Sequence, residues 1–172
     1  MGIKVGDIII FKRNGLVSFI LGGILKLFER GWDGWGWHVA FISGIDDYTG
    51  VMICEALAGG VTENPLSNYK DYRVYRWFDE SPDQFKVNRF VSKHKGEKYD
   101  ILVYPLTALA YLIRHYWGRP VPRLLDNSWS CWELVYYFCN RMGKPLAESY
   151  DFPMISGLNK ILAGKEIKHD SD

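Results

Sequence analysis

The sequence predicts an α+β fold, a small antiparallel β-sheet or barrel packed against helices. Three observations point there. Short β-rich runs fill the first half of the chain, capped helical patterns fill the second, and no repeat or low-complexity tract divides them. At 172 residues, 48% hydrophobic and 24% charged, the chain has material for one core and is read as a single domain, 1–172.

The elements follow in order. The run Val5-Gly-Asp-Ile-Ile-Ile-Phe11 sets a first strand at 7–12, and the apolar stretch 16–29, ended by Gly31, reads as a helix. Strands at 37–43 and 51–57 flank Gly44-Ile-Asp-Asp-Tyr-Thr-Gly50, whose residues favour a turn. A fourth strand, 72–78, alternates and is rich in β-formers. Ser81-Pro-Asp-Gln84 matches a capping box with proline at the first helical position, which predicts a helix from there to about His94. Residues 104–117 read as a helix with Pro105 near its start and Gly118 after its end; 130–142, closed by Gly143, is the clearest helix, and 153–163 is a last one.

Composition narrows the function classes. A net charge of +1 argues against a nucleic-acid partner. The apolar stretches 16–28 and 101–113 fall short of the roughly 20 residues a membrane span needs, so no transmembrane segment is expected. Three cysteines make no disulfide framework and no secretory pattern opens the chain, so a cytoplasmic location is expected. No Cys and His pair has zinc-finger spacing, and neither a metal nor a cofactor is expected.

Cys131 stands apart from the other cysteines. Ser130-Cys-Trp-Glu133 fits the capping pattern S-x-x-E, which sets Cys131 at the first helical position. There the unpaired N–H groups and the helix dipole favour negative charge on a thiol, and the same groups suit an oxyanion. On position alone, a small buried residue near a helix start is the plainer reading. Cys139 falls on the helix face of Trp132, Val135 and Tyr136, and strand alternation sets Cys54 opposite Glu55; both read as core.

His38 opens the apolar run His-Val-Ala-Phe-Ile42, and Glu55 interrupts Val-Met-Ile-Cys-Glu-Ala-Leu57. A carboxylate among such residues needs a partner. A hairpin whose turn is centred on Asp46-Asp47 sets His38 directly opposite Glu55, unless a bulge shifts the register. Such a pair either orients a catalytic imidazole or makes a structural hydrogen bond. His94, His115 and His169 lie in charged surroundings or near a helix end and read as ordinary.

The ordered set Val5–Phe11, Trp37-His-Val-Ala-Phe-Ile42, Ile53-Cys-Glu-Ala-Leu57, Gly60-Val-Thr-Glu-Asn-Pro-Leu66, Gly96-Glu-Lys-Tyr-Asp100, Ser130-Cys-Trp-Glu-Leu-Val135 and Gly143-Lys-Pro-Leu146 resembles the circularly permuted papain-like amidases of the YiiX type. These are relatives of NlpC-type cell-wall peptidases and of the lecithin:retinol acyltransferase group. The resemblance implies a cysteine hydrolase of amides or esters, with Cys131 as nucleophile, His38 as base and Glu55 orienting it. It also implies that Tyr99 helps form an oxyanion hole. Trp37 and Trp132 stand where the family often has small residues, and are expected to line an apolar site with the 16–28 helix. A peptide amide or a lipid acyl group is the expected substrate. Acyl transfer, and a silent binding module of the same fold, are the alternatives.

Overall fold

A computed structural model describes residues 2–12, 36, 38–99, 128–146, 158 and 161–167. The expected helices at 16–29 and 104–117 lie outside the described residues, as does most of the one at 153–163. Among the described residues, no helix is long and apolar enough to cross a membrane.

The architecture is α+β. Six strands form one antiparallel sheet: β1 (Ile8–Phe11), β2 (His38–Asp46), β3 (Gly50–Leu57), β4 (Gly60–Pro65), β5 (Tyr72–Tyr75) and β8 (Glu166–Ile167). Their order is β4-β3-β2-β1-β5-β8, an open sheet among the described residues rather than a closed barrel. Two short strands, β6 (Lys98–Tyr99) and β7 (Ser128–Trp129), pair in parallel beside it. The helices are α1 (Gln84–His94) and α2 (Cys131–Arg141).

Alternation divides the core in two. Ile8, Ile10, Val39, Phe41, Cys54 and Ala56 face α1 and α2, where Phe41 stacks on Phe138 with ring centroids 3.7 Å apart. Ile9, Phe11, Ala40, Ile42, Ile53 and Val74 face the other way, also buried. β1 is buried on both faces, which is why its sequence is an unbroken apolar run rather than an alternating one.

Two boundaries differ from expectation. The helix expected from Ser81 begins at Gln84, and its cap is Asp83, whose carboxylate accepts the Lys86 N–H at 2.9 Å. Pro82 packs instead against Gly6, where a Cβ would lie 2.6 Å from its ring. β5 stops at Tyr75 rather than Phe78; the next residue, Arg76, turns its guanidinium onto the buried Asp7, at 2.9 and 3.1 Å. Strands β4, β6, β7 and β8 are not among those the sequence predicts; in β4, Glu63, Asn64 and Pro65 are poor strand formers at an edge position.

The β2–β3 hairpin also departs from the symmetric turn. Asp46 pairs with Gly50 and Gly44 with Met52, but Ile42 pairs with Ile53 and Phe41 with Cys54, leaving Ser43 as an extra residue. Continued without that bulge, the tip register would set Glu55 against Phe41, on the face toward the helices. With it, Glu55 faces Ala40 and shares the strand face of His38. The bulged residue is held on both sides: its hydroxyl donates to Glu63 at 2.9 Å, and its carbonyl accepts from the Gln84 amide at 2.8 Å.

Ser43→Ala removes one hydrogen bond and is expected to cost about 0.5–1.5 kcal/mol. Deletion of Ser43 turns Glu55 toward the helices and is expected to abolish cooperative unfolding in urea. A deletion variant with the unfolding midpoint of Ser43→Ala would show that the bulge does not set the register.

Candidate functional site

The nucleophile position is built by helix capping. The Ser130 hydroxyl accepts the Glu133 N–H at 3.4 Å, and the Glu133 carboxylate accepts the Ser130 N–H at 3.0 Å and its hydroxyl at 2.8 Å. This is the reciprocal box expected from the sequence. It makes Cys131 the first residue of α2, almost fully buried. No disulfide engages Cys54, Cys131 or Cys139.

The imidazole comes from the first residue of β2. His38 stacks on Phe11, ring centroids 5.4 Å apart, and its Nε2 lies 2.6 Å from Glu55 Oε2. The Cys131 thiol is the first of the groups that raise the pKa of the same ring. With Nε2 committed to Glu55, Nδ1 is the nitrogen left for the thiol. His38 and Glu55 are therefore diagonal neighbours on one strand face rather than the direct opposites that a symmetric turn predicts.

Glu55 has no exposed surface, yet its carboxylate is fully engaged. Besides His38 it accepts the Asn64 amide at 2.8 Å and the Tyr69 hydroxyl. Burial works against the charge. The hydrogen bond and charge of His38, with the Tyr69 and Asn64 donors, outweigh it and hold the carboxyl below its usual range. Burial and the adjacent carboxylate push the Tyr69 hydroxyl up, so it stays a donor. For His38, burial again opposes charge, but the hydrogen bonds to Cys131 and Glu55, and their charges, raise it from 6.5 to about 9. Burial pushes the Cys54 and Cys139 thiols up, consistent with core roles for both.

The structure thus joins Cys131, His38 and Glu55. Tyr99 pairs with Trp129 across the β6–β7 bridge, two residues before Cys131. Trp132 is half-buried and packs on the core that α2 shares with the sheet. Trp37 lies outside the described residues. Sequence reasoning missed Asn64 and Tyr69. Had β4 been read as a strand, pairing of Thr62 with Glu55 would have set Asn64, two residues on, on Glu55's face.

No family model matches the chain, and no curated protein matches it. Among solved structures it is similar to the crystal structure of metalloprotein yiiX from Escherichia coli. The identity is 17% and the TM-score 0.56, over 91% of this chain and 79% of that one. At that identity the likeness establishes a shared fold of the YiiX type and nothing further.

Two outcomes are expected. By NMR, the His38 ring titrates near 9 and moves down in Cys131→Ala, because the thiol is the first of its raising partners. Since the folded value lies above the ordinary one, the imidazolium's contribution to stability is complete below about pH 6.5 and is lost as pH rises through about 9. Tyr69→Phe leaves Glu55 short of one donor and is expected to cost about 1.5–3 kcal/mol in urea unfolding. A neutral Tyr69→Phe would mean that the carboxylate does not depend on that hydroxyl.

Proposed function

We propose that this chain is a cysteine hydrolase that cleaves an amide or ester bond through an acyl-enzyme on Cys131. The observation that carries the reading is a single imidazole, that of His38, hydrogen-bonded to a buried carboxylate and raised by the thiol at a helix N-terminus. Nucleophilic catalysis asks for that set: a sulfur, a base beside it and a group fixing the base's tautomer.

The steps follow from the geometry. His38 holds the Cys131 proton as imidazolium, and the sulfur attacks the substrate carbonyl to form a tetrahedral oxyanion. The Cys131 backbone N–H at the start of α2, and Tyr99 from β6, are the groups we assign to that oxyanion. The intermediate collapses with breakage of the amide or ester bond, and His38 gives its proton to the departing amine or alcohol. Water, deprotonated by His38, then releases the acyl group and restores the thiol. Glu55 holds the ring throughout and balances the imidazolium. Within this reading the chain joins the wider circle of permuted papain-like and NlpC-type enzymes. Trp132 belongs to the wall that receives an apolar acyl or peptide group.

The neighbour's description as a metalloprotein raises a metal-based alternative. Among the described residues, no three His, Cys, Asp or Glu side chains are arranged to hold a metal ion. The carboxylate of Glu55 is taken up by His38, Asn64 and Tyr69.

Brief iodoacetamide treatment of the folded protein is expected to label Cys131 ahead of Cys54 and Cys139. On a panel of acyl esters and peptide amides, Cys131→Ala and His38→Ala are each expected to lower kcat/KM by about 10⁴-fold or more. Glu55→Gln offers the surrounding donors one acceptor oxygen instead of two, and should keep only a weak residue of activity. Activity should fall as pH rises through about 9, where His38 loses the proton that the leaving group needs. Turnover by Cys131→Ala at the wild-type rate would refute the assignment.

A further inference from the structure

The site is assembled from two pieces, a sheet that carries His38 and Glu55 and a helix that carries Cys131. We propose that Glu97 is the positioning residue that registers the second piece against the first, acting through the indole of Trp129. This rests on the reading of Cys131 as nucleophile.

Glu97 lies in the turn after α1, just before β6. Its backbone is fastened to the strand that holds Glu55 in place. The Glu97 carbonyl accepts the Val61 N–H of β4 at 2.9 Å, and the Gly96 N–H donates to the Val61 carbonyl at 2.8 Å. The approach is so close that a Cβ on Gly60, at φ +111°, would lie 2.6 Å from the Glu97 carbonyl oxygen. Only glycine fits there. Three residues on from Val61, Asn64 of the same strand donates to Glu55.

The Glu97 side chain points to the other piece. Its Oε2 accepts the Trp129 indole N–H and lies 2.7 Å from His94 Nδ1. Trp129 immediately precedes the helix cap Ser130, so it is two residues from the sulfur. Its ring is wedged edge-on to His94 at 5.1 Å and tilted against Tyr137 of α2 at 5.2 Å. A displacement of the carboxylate is therefore passed through the indole to the start of α2. The Glu97 side chain is 39% exposed, whereas that of His94 beside it is 6% exposed. A hydrogen bond so near solvent adds little to stability, so the clamp should matter more for the placement of Cys131 than for the fold.

The test is the rate of Cys131 alkylation by iodoacetamide as a function of pH, read beside the melting temperature, in Trp129→Phe, Glu97→Ala and Glu97→Gln. Trp129→Phe keeps an aromatic ring and loses the N–H. It and Glu97→Ala are expected to slow Cys131 alkylation about tenfold or more, or to shift its pH profile, with melting close to wild type. Glu97→Gln keeps an oxygen for the indole and should restore most of the rate. Wild-type rate and profile in both Trp129→Phe and Glu97→Ala would overturn the proposal. So would a general loss of fold, seen as labelling of Cys54 and Cys139, because that marks a structural residue. If His38→Ala leaves Cys131 reactivity unchanged in the otherwise wild-type protein, the thiol–imidazole reading itself fails and the proposal falls with it. The two failures are thus separable.

Discussion

The described fold turns on one buried carboxylate. An ionised Glu55 with no access to water would carry several kcal/mol of desolvation cost, and removing any one partner leaves charge uncompensated. The surroundings answer with an imidazole, an amide and a phenol, each from a different element: His38 from β2, Asn64 from β4 and Tyr69 after the 3₁₀ turn Leu66–Asn68. The polar composition of β4, poor as strand material, is thereby explained. That strand supplies a donor to Glu55 through Asn64 and an acceptor to the hairpin bulge through Glu63. Local propensity yields there to the demands of the charge.

Register parity is the second constraint, and it follows from the first. A side chain's strand face depends on whether a shift in pairing is odd or even. The hairpin turn lies further along the chain than a symmetric reading of Asp46-Asp47 allows, by an amount that alone would have put Glu55 among the helix-facing residues. The extra residue at Ser43 corrects the parity. Gln84, at the start of α1, holds the bulge by its carbonyl, so one helix N-terminus helps set the geometry of a site built on the sheet.

These two constraints show why the sequence was informative about some parts and silent about others. The capping box at Ser130 and Glu133 is local, its partners lie three residues apart, and both the helix start and the position of Cys131 could be read from it. The pairing of His38 with Glu55 was legible as a need, a carboxylate in an apolar run, although the register behind it was not. The symmetric turn gave the right partners by an even slip. Ser81 misled because Pro82 is drawn onto Gly6, a contact made with residues far away in the chain. Asn64, Tyr69 and Glu97 gave no local signal, since each acts through a pairing that exists only once β4, the turn after it and β6 are in place.

The molecule contains two histidine–glutamate pairs, and the contrast between them says what makes such a pair chemically useful. His38 and Glu55 lie 2.6 Å apart, and His94 and Glu97 lie 2.7 Å apart, so distance does not separate them. Surroundings do. Glu55 is sealed from water, which concentrates its field on the imidazole, and that imidazole's remaining nitrogen meets a thiol. Glu97 is partly solvated, which screens its charge, and its other partner is an indole that donates a hydrogen bond and does not exchange a proton at neutral pH. On the proposed reading the first pair moves protons and the second holds position. The residue types are the same in both pairs; burial and the third partner separate them.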